Sequence, residues 1–197
     1  MSRSLCVLAV AVLLVSTPAS GEQKELAKPS RDKPNVERML VRGEWRFPED
    51  KLVRISGRMT VQNAHVLRYE DGTEVDLLGA LDAPDLEQQA LSGDDLYPCG
   101  KEAAEFVRKL IGDRPVTCFI PTDRDDWKEQ TKYRQGNAFV EEKSINAELV
   151  RNGWAMAHHS GTAAWEAIAR ENNRGLWRGR FVFPDRWRKG ERLPDEQ

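Results

Sequence analysis

The sequence predicts an α+β fold, a small barrel of strands with helices packed on it, and three observations carry that prediction. Tyr69-Glu70-Asp71-Gly72-Thr73 sets an Asp-Gly turn between two strand-like runs, so the region 52–81 reads as antiparallel and rich in hairpins. Ala103, Phe106, Val107, Leu110 and Ile111 then recur at helical spacing. Strand-like runs return at 116–120 and 138–140, and two further helical segments follow. Strands, one inserted helix, more strand and two helices is the order expected when helices cover a small barrel.

Taken along the chain, Met1-Ser2-Arg3-Ser4 leads into an apolar run from Leu5 to Val15, too short to span a bilayer. Thr17-Pro18-Ala19 supplies small residues for cleavage, so residues 1–19 read as a secretory signal peptide, with a retained anchor as the alternative. The expected location is therefore exported, periplasmic or extracellular, with no membrane-spanning segment in the mature chain. Residues 20–50, rich in Lys, Glu, Arg and Pro, read as a charged flexible arm, 51–188 as one domain and 189–197 as a tail. Within the domain, Pro98 marks the first turn of a helix from about Cys99, and Gly112 stops it. A second helix starts near Ser144, and a third covers about 162–173 with Gly175 ending it.

Charge and cysteines narrow the classes. Residues 1–19 hold Arg3 and no acid, which leaves 29 basic against 32 acidic side chains in the rest of the chain. No global basic pull toward nucleic acid exists. Two cysteines remain, Cys99 and Cys118, and an even count in an oxidising compartment suggests a disulfide. Two buried free thiols are the other reading, because Cα separation is not legible in sequence.

Several motifs carry a family resemblance. Cys99-Gly100 opens the first helix, and Cys118 lies on the strand after it. Ile145-Asn146-Ala147-Glu148-Leu149-Val150-Arg151-Asn152-Gly153-Trp154-Ala155 has the form N-x-x-L-V-x-x-G-W-A. Glu166, Ala169, Arg170, Gly175, Leu176, Trp177, Phe181, Pro184 and Trp187 close the pattern. From about Val53 to Trp187 the chain resembles the staphylococcal-nuclease-like, or thermonuclease, family, as a secreted bacterial-type member. The resemblance implies a five-stranded OB-type β-barrel with three α-helices, and a mechanism in which Ca2+ and two arginines help hydrolyse phosphodiester bonds of DNA and RNA.

Such chemistry needs a cation on the phosphate, a base that orients water, and fixed positive charge for the transition state. In the run Leu81-Asp82-Ala83-Pro84-Asp85, the resemblance makes Asp82 a metal ligand and Ala83 another through its backbone carbonyl. The second side-chain ligand position falls on His65 in Asn63-Ala64-His65-Val66, and imidazole suits transition metals better than calcium. His65 therefore reads as a surface histidine, with a zinc-type site shared with Asp82 as the alternative. Asp85 stands where the family has a glutamate base. One methylene less withdraws the carboxylate by about 1.5 Å, and a misplacement of roughly an ångström can cost about 100-fold in rate. The first arginine position falls on Asp76 or Leu77. The second is displaced to Arg134, either an ordinary solvated arginine or one that reaches the site if its loop adjusts.

Between Glu70 and Pro98 lie nine acidic residues and no Lys or Arg, a face that repels polyanions. Residues 170–192 hold eight basic side chains, interleaved with Trp177, Phe181, Phe183 and Trp187. The aromatics are expected to pin the tail while the arginines face solvent, and a stacking platform for single strands is the alternative. The reading is an exported, monomeric, non-catalytic binding or scaffold module with a degraded phosphodiesterase centre. Nucleic acid is its possible partner, through 170–192. The alternative is a slow metal-dependent endonuclease using Asp82, Asp85, His65 and Arg134, with calcium ahead of other divalent metals.

Overall fold

The structure is a computed structural model that describes residues 52–77, 79, 81–121, 134–158 and 160–194. The expected signal peptide and arm lie outside the described residues, as does the polar loop before Arg134. Four strands come first, β1 (Leu52–Gly57), β2 (Met59–Val61), β3 (Val66–Tyr69) and β4 (Glu74–Asp76). The turn between β3 and β4 is the expected one: Gly72 adopts φ 86° and Asp71 accepts the Thr73 N–H at 2.8 Å. Short strands β5 (Leu81–Asp82), β6 (Ala90–Ser92) and β7 (Asp95–Tyr97) lead to helix α1 (Cys99–Ile111). Its inner face buries Ala103, Ala104, Val107 and Ile111, and Gly112 ends it at φ 57° while donating to the Arg108 carbonyl.

After α1 come β8 (Val116–Pro121), β9 (Arg134–Gln135), β10 (Asn137–Val140) and β11 (Lys143–Ser144). Helix α2 (Ile145–Arg151) starts where Ser144 Oγ accepts the Ala147 N–H at 3.1 Å, as its sequence predicts. Strand β12 (Met156–Ala157) and helix α3 (Ser160–Glu171) follow. Gly175, expected to stop α3, instead opens a 3-10 turn (Gly175–Arg178), and the chain has already left the helix at Asn173, φ 49°. Strand β13 (Arg180–Phe181) and helix α4 (Pro184–Arg188) complete the order.

Hydrogen bonding sorts the strands into two four-stranded sheets, β1-β8-β10-β11 and β2-β3-β4-β9, a three-stranded sheet β13-β6-β7 and the pair β12-β5. The main core lies between the sheets and α1 and α2, with Leu67, Val75, Leu77, Leu81, Val107, Ile120, Ile145 and Leu149 at its centre. Among the described residues the strands are more finely divided than expected, and one helix is added. Thirteen short strand segments lie in four hydrogen-bonded sheets, with no closed barrel among the described residues. β4 pairs with β3 and β9, whereas β5 turns away to β12. The helices number four, because Phe183-Pro184 starts α4 with proline in its first turn.

The cysteines take the second of their two readings. Cys99 and Cys118 are separate buried thiols, and the expected disulfide is not formed. Cys99 Sγ donates to the Gln88 carbonyl at 3.2 Å in a cluster with Ala90, Tyr97, Met156 and Leu176, whereas Cys118 belongs to the main core. Packing also runs past residue 188, since Leu193 is buried against Leu91 and Val182.

Candidate active site and its ion pairs

The region 62–65 between β2 and β3 carries His65. Asn63 Oδ1 accepts the N–H groups of His65 and Val66 at 2.9 and 2.7 Å, a local turn that fixes the loop. The Leu77 N–H donates to the His65 carbonyl at 2.8 Å and ties it to the end of β4. His65 is thus not a surface residue: it is 5 % exposed. The burial comes from the end of β4, whose Asp76 and Leu77 contact His65 and lie 11 and 12 positions away, beyond the reach of any local pattern.

His65 Nδ1 meets Asp76 Oδ1 at 3.1 Å, and Nε2 meets Asp85 Oδ1 at 3.2 Å. Asp76, one of the two residues on which the first arginine position falls, is therefore an anionic partner of His65. Both partners are acceptors, so both ring nitrogens must donate. Burial opposes the ring's charge, yet the hydrogen bonds and fields of Asp76 and Asp85 outweigh it and raise the His65 pKa.

Asp82 lies on β5 opposite Met156 and is 3 % exposed. Ala83, also buried, follows it. Asp85 sits in the next turn, where its carbonyl accepts the Gln88 N–H at 3.0 Å. Gly100 in the first turn of α1 packs on that same carbonyl so closely that a Cβ would fall 1.7 Å from it. Asp82, Ala83 and Asp85 lie together in this turn.

What closes the site was not foreseen. Arg188, from the last turn of α4, reaches in with Nη2 on Asp82 Oδ1 and Nη1 3.2 Å from Asp85 Oδ2 and 3.3 Å from the Ala83 carbonyl. The Asp185 N–H donates to Asp82 Oδ2 at 3.0 Å. Pro184 and Trp187 were legible as closing-pattern residues, but nothing local to Arg188 marks a contact with a residue 106 positions earlier. Burial works against the Asp85 carboxylate, but His65 and then Arg188 overcome it and hold its pKa below the ordinary carboxylate value.

These contacts decide the fit of a calcium ion. Calcium takes six to eight oxygens. Here both Asp82 oxygens, both Asp85 oxygens and the Ala83 carbonyl already serve N–H donors, and the remaining ligand position offers an imidazole nitrogen locked between two carboxylates. The residues do not fit calcium in this arrangement, and among the described residues no group of three or more His, Cys, Asp or Glu side chains is arranged to hold a metal. Arg134 lies on β9, its backbone beside Val75 in a parallel pair with β4; its side chain lies outside the description.

The basic tail is largely engaged with the protein itself. Arg178 pairs with Glu102 at 2.8 Å and covers the Tyr97 ring at 3.7 Å. Arg170 pairs with Glu166 and lies 4.1 Å over Trp177, and Arg192 lies 4.0 Å over Trp187. Trp177, Phe181 and Phe183 pack edge to face or tilted, with centroids 5.1 to 6.5 Å apart. No helix among the described residues is long and apolar enough to cross a membrane.

Residues 75–179, more than half of the chain, match the family described as Staphylococcal nuclease homologue. No curated protein matches.

Proposed function

The chain belongs to the staphylococcal nuclease homologue family, and from that premise we propose that it is an exported binding or scaffold module whose phosphodiesterase centre no longer hydrolyses. Membership gives the domain an OB-type α+β fold and relates it to nucleases. One observation carries the further step: Asp85, at the position of the base, has one carboxylate oxygen on His65 and the other on Arg188. A general base works best with a pKa near the operating pH. Two cationic partners pull Asp85 the other way, so it stays ionised and accepts protons poorly. The first arginine position falls on Asp76 or Leu77, neither of which brings the positive charge that an attacked phosphate needs.

The partner surface we propose is the basic face of 170–192, with nucleic acid or another polyanion as its ligand and the protein acting as a monomer outside the cytoplasm. A second reading, a slow metal-dependent endonuclease, is favoured by a single observation: Asp82, Ala83 and Asp85 still converge on one point. Incubation of single-stranded DNA and RNA with the protein in calcium, manganese or zinc, against a chelator control, separates the readings. The expected result is no cleavage above background in any metal. Chelator-sensitive cleavage that Asp82→Ala abolishes would establish the second reading instead.

A further inference from the structure

We propose that Arg188 is the resident cation of this centre: a guanidinium supplied by the chain's own C-terminal helix holds together the oxygen cluster of Asp82, Ala83 and Asp85, and the domain is stable without a divalent metal there. Two carboxylates and a backbone carbonyl are the donors a hard cation takes. In this protein all three are met by one planar fork, Nη2 on Asp82 and Nη1 on both Ala83 and Asp85. A guanidinium suits this role because its fixed N–H directions match carboxylate oxygens and it keeps its charge.

The segment that delivers Arg188 is anchored on both sides. Before it, Gln88 Nε2, fully buried, donates to the Val182 carbonyl at 2.7 Å, and β13 pairs with β6. After it, Leu193 packs with Leu91 and Val182 in a cluster that Trp187 borders. Pro184 is buried and fixes the start of α4, and the Asp185 N–H takes the second Asp82 oxygen. The guanidinium is therefore positioned by the fold and does not hang from a solvated chain end. This whole segment follows residue 179, where the family match stops. On the other side of Asp85, His65 balances Asp76, so each carboxylate of the centre has a cationic neighbour. A divalent ion could enter only by displacing Arg188.

This inference rests on the reading of a non-hydrolytic centre, but a protein that fails to cut could still bind calcium, so its test reads stability and not cleavage. The full chain, Arg188→Ala and Arg188→Lys are melted in chelator, in millimolar calcium, and with methylguanidinium at tens of millimolar. The original chain is expected to melt at one temperature in chelator and in calcium. Arg188→Ala is expected to melt lower by about 5 °C or more, and methylguanidinium is expected to recover most of that loss, with no recovery in Arg188→Ala combined with Asp82→Ala. Arg188→Lys keeps the charge without the fork and is expected to melt between the two, still insensitive to chelator. A rise in the melting temperature of the original chain with calcium would overturn the proposal. So would an Arg188→Ala protein as stable as the original, or one that methylguanidinium leaves unmoved. Should Arg188→Ala not fold, an Arg188→Lys protein that also fails to fold, or melts only higher in calcium, would overturn it equally.

Discussion

His65 is a buried imidazole between two carboxylates, and its charge sets a pH window. A ring whose pKa is raised on folding contributes its full stability below its ordinary value of 6.5, and the contribution is lost as pH rises through the higher folded value. Asp85, lowered from 3.8, contributes above that value and loses its share as pH falls through its folded value. The melting temperature is therefore expected to be highest between about pH 4 and 6.5 and to decline on both sides. In His65→Asn the decline on the alkaline side should flatten; an unchanged alkaline limb would assign it to other groups. Truncation to His65→Ala takes the imidazolium from Asp76 and leaves Asp85 with Arg188 alone, and removing one member of a buried ionic cluster costs about 3 kcal/mol. Urea denaturation of the variant at pH 6 measures this directly. By contrast, burial pushes the Cys118 thiol up to about 12, so it is inert in the folded protein.

At the scale of elements, α1 positions the site from behind. Gly100 lets its first turn lie against the Asp85 carbonyl, and Gly100→Ala is expected to push that loop outward. Such a backbone collision belongs to the large class of losses, about 3 kcal/mol or more, and the unfolding midpoint reads it. Ser144→Ala, which removes only the cap of α2, is expected to cost about 1 kcal/mol. The helices were legible for the same reasons: Ser144, Gly112 and the apolar spacing of α1 are local signals that act within one or two turns. Pairings β5 with β12 and β4 with β9 join segments far apart in sequence, and no local pattern at Leu81 or Arg134 announces them. In the site, Asp82, Ala83 and Asp85 were legible because five consecutive residues carry them. The burial of His65, its partnership with Asp76 and the arrival of Arg188 depend on tertiary contacts across 11, 20 and 106 positions.

Over the whole molecule, charge and packing are arranged to close one end. The acidic stretch from Glu70 to Pro98 meets the basic tail at the centre, and most of the tail's arginines lie on its own aromatic rings or pair with acids such as Glu102 and Glu166. Ending the chain after Gly179 would remove Val182 and Leu193 from Leu91, take the partner from Gln88 Nε2 and leave Asp82 without Arg188. Such a truncated protein is expected to lose cooperative thermal unfolding, which calorimetry would register as a broad transition or none; a sharp transition within a few degrees of the full chain would show the tail to be an accessory.

The distance along the chain between Asp82 and Arg188 also fixes an order of events during synthesis. Domains form from the N-terminus as the ribosome delivers them, at roughly 5–20 residues per second. For the 106 residues that separate the two partners, Asp82 is made but its guanidinium is not. The nascent protein therefore carries Asp82 and Asp85 without their guanidinium until α4 has been made, and the centre can close only after that point.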